Sequence, residues 1–212
     1  MTNDTRRRRG ARSRAPITRE RIAAAAFALV DAEGESALSA RRLAAQLGCE
    51  AMSLYHHVPN MEAVLDTLVD QLLGTLEIPA VDAEPGAALR RAGRSFLALA
   101  DAHPRVVRIV VARRWTTPIA FARVQALVAL YQAAGVPHEL ALRHARVLGA
   151  YLGGATSALA GWRLDAQRAS PDAGAVDPAA EVPALRAQST AELVRADLEA
   201  GLDWLLAAQL AV

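Results

Sequence analysis

From Ile22 onward, the apolar residues of this chain recur three and four positions apart, and the runs they form are cut by glycine, proline or a helix-capping side chain. That period places apolar groups on one face of an α-helix. Nowhere does the chain show the strict alternation that a half-buried strand needs. Alanine and leucine dominate and aromatics make up only 4%, so intrinsic propensity agrees with the period. The expected fold is all-α.

The punctuation divides the chain. Thr18 is placed to cap a first helix carrying Ile22, Ala25, Ala26, Leu29 and Val30, with Gly34 closing it. Ser39 opens a second, with Leu43 and Leu47 four apart, and Gly48 stops it. A very short segment runs from Glu50 to Val58, and Pro59-Asn60 breaks it. Asn60 caps a longer helix with Val64, Leu65, Leu68, Val69, Leu72 and Leu73. Beyond a loop from Pro79 to Gly86, five more helices are expected: 86–102, 105–112, Pro118 to Ala134, Pro137 to Trp162, and Ser189 to Leu210. Asp165 to Pro183 is rich in Pro, Asp, Ala and Gly and is expected to be a long loop.

Charge is uneven. All 24 basic residues are arginine. Residues 1–47 hold ten arginines against five acids, and the remainder holds fourteen against seventeen. Residues 1–16, with Arg6 to Arg9, Arg12 and Arg14, are expected to be a disordered basic arm suited to an anionic partner. The longest unbroken apolar run, Ile22 to Val30, is far short of a membrane span, and no apolar stretch follows the first arginines as in a secretory signal. A cytoplasmic protein with no membrane partner is expected. The single cysteine, Cys49, excludes an internal disulfide and a cysteine-based zinc finger. His138 and His144 are six apart and cannot share a helix face, and His56 and His57 diverge. No metal and no cofactor is expected. Neither a supported Ser-His-Asp order, nor a phosphate-cradling glycine loop, nor paired acids in apolar surroundings occurs, so no catalytic residue is assigned and an enzyme is not expected.

The informative stretch is Ser39 to Val58: a short capped helix, a glycine turn and a second short helix, the helix-turn-helix pattern. With Leu43, Leu47, Leu54 and Val58 turned inward, Ala51, Met52, Ser53, Tyr55, His56 and His57 remain mostly outward. A small residue at 51 permits close approach to a major groove, Met52 suits a thymine methyl, and the polar side chains can reach bases or phosphates.

Leu38 to Asp66 resembles the DNA-binding domain of the tetracycline-repressor family. The resemblance rests on Leu43-Ala44 with Leu47-Gly48, on Leu54-Tyr55-His56-His57-Val58, and on Asn60 opening the fourth helix. It implies a three-helix DNA-binding domain over 17–62 and a helical ligand-binding and dimerisation domain over 63–212. It also implies that Tyr55 and its neighbours, residues 51–53 and Arg41 face operator DNA, and that Ser39 can anchor a phosphate. Where the family often carries a phosphate-contacting lysine after the asparagine, this chain has Met61. His103 to Gly154 resembles the tetracycline-repressor subgroup more loosely. Val110 stands where that subgroup has a histidine that helps hold a metal-chelated drug, so a tetracycline–magnesium complex is not the expected ligand.

The candidate ligand-binding residues are Phe96, Trp115 and Tyr151, the aromatic lining that an aromatic-poor chain offers, together with Arg114 and Leu127. Gly149, Gly153 and Gly154 inside a long helix each cost about 1 kcal/mol relative to alanine and so ask for close helix approach. Gly149, Gly153, Trp162, Leu198 and Trp204 are the candidate dimer contacts. The function expected is a ligand-responsive regulator, in this family most often a repressor. As a homodimer it would bind a palindromic double-stranded operator, and a small-molecule effector would release it. A non-specific or architectural nucleic-acid binder working through the arginine arm is the alternative, with steep salt dependence and little sequence preference.

Overall fold

A computed structural model describes residues 16–81, 84–168 and 190–211. The arm expected over 1–16 falls almost wholly outside them, as does most of the loop expected over 165–183. The described residues form nine helices: α1 Arg19–Glu33, α2 Ala40–Leu47, α3 Ala51–Leu54, α4 Met61–Gly74, α5 Pro85–Ala102, α6 Pro104–Ala112, α7 Pro118–Ala133, α8 His138–Arg168 and α9 Ala191–Leu210, with a 3-10 turn at Glu35–Ala37. No strand occurs among them.

Local chemistry sets the boundaries. Thr18, Ser39, Asn60, Thr117 and Thr190 each sit in extended backbone and accept a hydrogen bond from an amide three residues on, which satisfies one orphan donor of the helix that follows. Proline at the first position of α5, α6 and α7 gives up no needed donor there. Gly48 ends α2 in the left-handed region, at φ 71° and ψ 35°, where a Cβ would be strained. The expected end of α8 at Trp162 is corrected: the helix continues to Arg168, past Asp165. Alanine and glutamine there favour helix as much as loop, and no proline intervenes before residue 171.

α8 is the axis of the larger part of the molecule, packed against α5, α6, α7 and α9. At the other end α1 packs against α2, α4 and α6, and α2 holds α3. α4 contacts α1 on one side and α6 and α7 on the other. One contiguous buried cluster therefore runs from Ile22 through Leu43, Leu54 and Leu68 to Leu148 and Leu206. α9 is fixed by a buried polar chain: Tyr131 Oη donates to Gln209 Oε1 at 2.5 Å, and Gln209 Nε2 donates to the His144 carbonyl at 3.2 Å. No helix among the described residues is long and apolar enough to cross a membrane.

Candidate DNA-reading surface, core cavity and pairing face

The short helices begin the first surface. Gly48 N–H closes on the carbonyls of Ala44 and Ala45, which turns the chain sharply into α3. α3 is a single helical turn, and the backbone keeps turning after it, with the His57 and Val58 amides both donating to the Leu54 carbonyl. Leu54 and Val58 are buried and pin this turn to the core, and Leu47 is half-buried. The opposite side is presented outward: Met52 is 70% exposed, and Tyr55, His56 and His57 are exposed beside it. Ala51 and Ser53 are half-buried, and Ala51 also packs on the core. Met52 is an unbranched apolar side chain standing in water with no intramolecular cover, an arrangement that suits a docking surface more than stability.

Arg41 points to solvent from the first turn of α2. Arg42 does not share that freedom. It forms a two-pronged pair with Glu33 at the end of α1, at 2.5 and 2.8 Å, and so fixes α2 against α1. The hydrogen bonds from Arg42 hold the Glu33 carboxyl below the usual carboxylate range. Ser39 Oγ accepts the Arg42 amide at 3.3 Å, and its own proton remains available to an acceptor outside. Met61 is half-buried against the core and offers no cation where the family often has lysine.

Three candidate ligand residues come together. Phe96, Trp115 and Leu127 line a cavity of about 30 Å³ with Leu76, Ala92, Arg123, Gly149 and Leu152. The Phe96 and Trp115 rings lie 5.8 Å apart, and Trp115 Nε1 donates to the Val110 carbonyl at 3.0 Å. The other two lie elsewhere. Arg114 is exposed, and Tyr151 turns its hydroxyl to the Leu198 carbonyl at 2.5 Å. Gly149, a candidate dimer contact, also borders this cavity. The space holds about one water molecule, whereas small-molecule sites run to about 300–1,000 Å³, so any ligand must displace its walls. A larger cleft of about 490 Å³ lies between the 3-10 turn and α6, lined by Glu35, Arg105 and Arg108 among others. It opens to solvent, away from the aromatic side chains.

A feature missed in the sequence is the grip on α4. Arg113, just past α6, donates to Glu62 and Asp66, both at 2.8 Å. Thr117 donates to Asp70, and Arg123 donates to the carbonyls of Leu73 at 2.9 Å and Gly74 at 3.0 Å. One side of α4 is thus held along its length by the segment 113–123. Burial opposes the Arg113 charge, but the bonds to Asp66 and Glu62 outweigh it and raise its pKa. The signal was present as Glu62, Asp66 and Asp70 spaced by four; their partners are too distant in sequence to be read.

The third surface lies on α8 and α9. Val147, Ala150, Gly154, Ala158 and Trp162 are exposed at spacings of three and four, a stripe of small residues between two large ones. Leu193 and Trp204, eleven apart on α9, are exposed too, Trp204 at 77%. Among the described residues, nothing beyond their own helix backbone lies within 4 Å of a Cβ built on Gly149, Gly153 or Gly154. The close approach expected of them is not made among the described residues. Such an approach is made instead at Gly93, where a Cβ would lie 2.6 Å from Leu202, and at Gly201, under the Tyr151 hydroxyl. Leu198 is half-buried against the chain's own core.

Comparison with known proteins gives the chain its relatives. Residues 82–206, more than half of the chain, match the family described as tetracyclin repressor-like, C-terminal domain. The HTH-type transcriptional repressor DrrR1 of Streptomyces coeruleorubidus is 35% identical over 135 residues, 63% of this chain and 50% of that protein. An HTH-type transcriptional regulator of Saccharopolyspora erythraea is 32% identical over 157 residues, 72% of this chain and 65% of that protein. The chain therefore spans between half and two thirds of the length of these curated relatives. The Streptomyces coelicolor TetR family protein ActR, solved in complex with actinorhodin, superposes with a TM-score of 0.74 at 27% identity, covering 93% of this chain and 97% of that one.

Proposed function

The chain belongs to the tetracycline-repressor family of transcriptional regulators, and from that premise we propose that it is a ligand-responsive repressor that binds a palindromic operator as a homodimer. The observation that carries this reading is the outward set on α3 and the turn after it: Met52, Tyr55, His56 and His57 exposed over a buried Leu54 and Val58. Arg41 and Ser39 flank that set, and Ala51 and Ser53 line its edge. One short helix reads too few bases for specificity, so two copies are needed, one per half-site. The exposed stripes on α8 and α9, with Trp162 and Trp204 as anchors, supply the surface for pairing. Residues 17–62 act as the reading domain and 63–212 as the regulatory one, with α4 shared between them. The site of action is the cytoplasm, and the protein acts by binding and not by enzymatic turnover.

The effector is a small molecule in the core cavity beside Phe96, Trp115 and Leu127. A ligand acts on DNA affinity only through a difference in its affinity for two arrangements of the protein. The cavity is closed around about 30 Å³, so the arrangement that accepts a ligand differs from this one. The 113–123 segment grips α4, and Asn60 at the head of α4 follows directly on the reading turn.

The test is capture of fragmented genomic DNA by the purified protein at moderate salt, followed by sequencing. Enrichment of one or a few dyad-symmetric sites is expected. Deletion of residues 1–15 should weaken binding while preserving the preferred site. Recovery without sequence preference, abolished by the same deletion, would leave only non-specific binding through the arginine arm.

A further inference from the structure

The cleft between the 3-10 turn and α6 differs in kind from the core cavity. At about 490 Å³ it already has the size of a small-molecule site, so a guest needs no displacement of its walls. One wall comes from the end of α1 and the 3-10 turn, the other from α6 and Leu164 of α8. The two are tied together where α6 begins. His103 Nδ1 lies 2.9 Å from Asp31 Oδ2, the His103 ring meets Phe27 edge-on, and Arg105 Nη1 donates to the Asp31 carbonyl at 3.1 Å.

The charges in this cleft are of two sorts. Glu33 is taken by Arg42, and Arg113 by Glu62 and Asp66. Arg105, Arg108 and Glu35 have no ion-pair partner among the described residues. Arg105 and Arg108 are three apart on α6 and so share a face. Glu35 stands on the opposite wall, in the 3-10 turn, and does not reach them. Ile109, Ala112 and Leu164 complete the lining with apolar surface. Two cations on one wall and an acid on the other are matched by a molecule of the reverse layout. A phosphate or carboxylate suits the arginines, because each guanidinium carries five N–H donors and Arg105 uses one of them on Asp31. An ammonium suits Glu35.

We propose that this cleft binds a zwitterionic small molecule, its acidic group on Arg105 and Arg108 and its ammonium at Glu35. The site is separate from the core cavity, goes beyond the regulator reading, and can be measured without DNA. Two probes suffice: 6-aminohexyl phosphate and hexyl phosphate, which differ only in the ammonium, titrated calorimetrically into the full chain. The amine should bind roughly threefold or more tightly than hexyl phosphate, the scale of an exposed ion pair. The arginines of residues 1–15 favour the more negative hexyl phosphate, so they cannot imitate that preference. Arg108→Gln should weaken both probes by roughly fivefold or more. Glu35→Gln should erase the preference without weakening hexyl phosphate. Both side chains are exposed and unpaired, so neither variant endangers the fold. Ala112→Trp, which fills the cleft, should lose both probes. Deletion of residues 1–15 should leave the preference intact. In the wild type, exchange of the Ala37 and Leu38 amides, which close the 3-10 turn, should slow when 6-aminohexyl phosphate is bound. No binding of either probe, equal affinity or a preference for hexyl phosphate would each overturn the proposal. So would a preference that survives Glu35→Gln or is lost with the arm, affinity undiminished in Arg108→Gln or Ala112→Trp, or unchanged exchange.

Discussion

Single side chains divide into those whose partners are near in sequence and those whose partners are far. Thr18, Ser39 and Asn60 were readable as caps because the amide each accepts lies three residues on. Met52 and Tyr55 were readable as outward because Leu54 and Val58 had to be inward. Tyr55→Ala should therefore cost about 1–3 kcal/mol of operator affinity, the scale of one good contact at a base pair. It should leave the unfolding midpoint near that of wild type; normal operator affinity in the folded variant would remove Tyr55 from the interface. Tyr131 belongs to the other group, since Gln209 lies 78 residues away. Burial pushes the Tyr131 hydroxyl well above its ordinary range. In the unfolded chain a tyrosine ionises near about pH 10, while in the folded protein Tyr131 keeps its proton. Its contribution to stability is thus complete below about pH 10 and is lost as the pH rises further. Tyr131→Phe has no such proton. It should cost about 1–3 kcal/mol at neutral pH by stranding the Gln209 oxygen, and its stability should fall less steeply above about pH 10 than that of wild type. Denaturant unfolding at neutral and alkaline pH measures both effects, and parallel pH profiles would contradict the assignment.

Elements were legible wherever punctuation was strong. Gly48 and Pro59-Asn60 bracketed the reading turn, and prolines marked α5, α6 and α7 to within a residue or two. The end of α8 was not legible, because the composition that suggested a loop begins several residues after the helix has any reason to stop. Glycines in the long helix were legible as unusual, but not in what they serve. Gly149, Gly153 and Gly154 meet no other element among the described residues, whereas Gly93, in α5, is pressed by Leu202 of α9. Alanine inside a helix gains about 1 kcal/mol over glycine, but overpacking a filled site costs about 1–3 kcal/mol. Leu202 is fully buried, so its side chain can yield only by repacking the core around it. Gly93→Ala should be destabilising on balance, and adding Leu202→Ala should cost less than the two single changes summed. Strict additivity in chemical denaturation would show that α5 and α9 do not meet there. The grip on α4 was also hidden at this scale. An acidic stripe on one helix reads as a solvated face until the arginine that faces it, 47 to 51 residues on, is in place.

For the whole molecule, an all-α fold was legible from period and propensity. The proposed pairing of copies has only tryptophans and glycines behind it in the sequence. An exposed Trp204 and a stripe of small residues on α8 form apolar surface of the kind that marks an interaction site. Trp204→Glu should shift the mass in solution from two chains to one and should abolish operator binding while the chain stays helical. A dimeric Trp204→Glu variant would move the interface elsewhere. Operator recognition by a homodimer requires two reading turns held at a fixed distance on one duplex. Hydroxyl-radical footprinting of a site recovered from genomic DNA tests this most directly. Two protected patches related by a dyad are predicted, their centres about one helical turn or a multiple of it apart, roughly 34–36 Å per turn. A single patch, or uniform protection without symmetry, would contradict it.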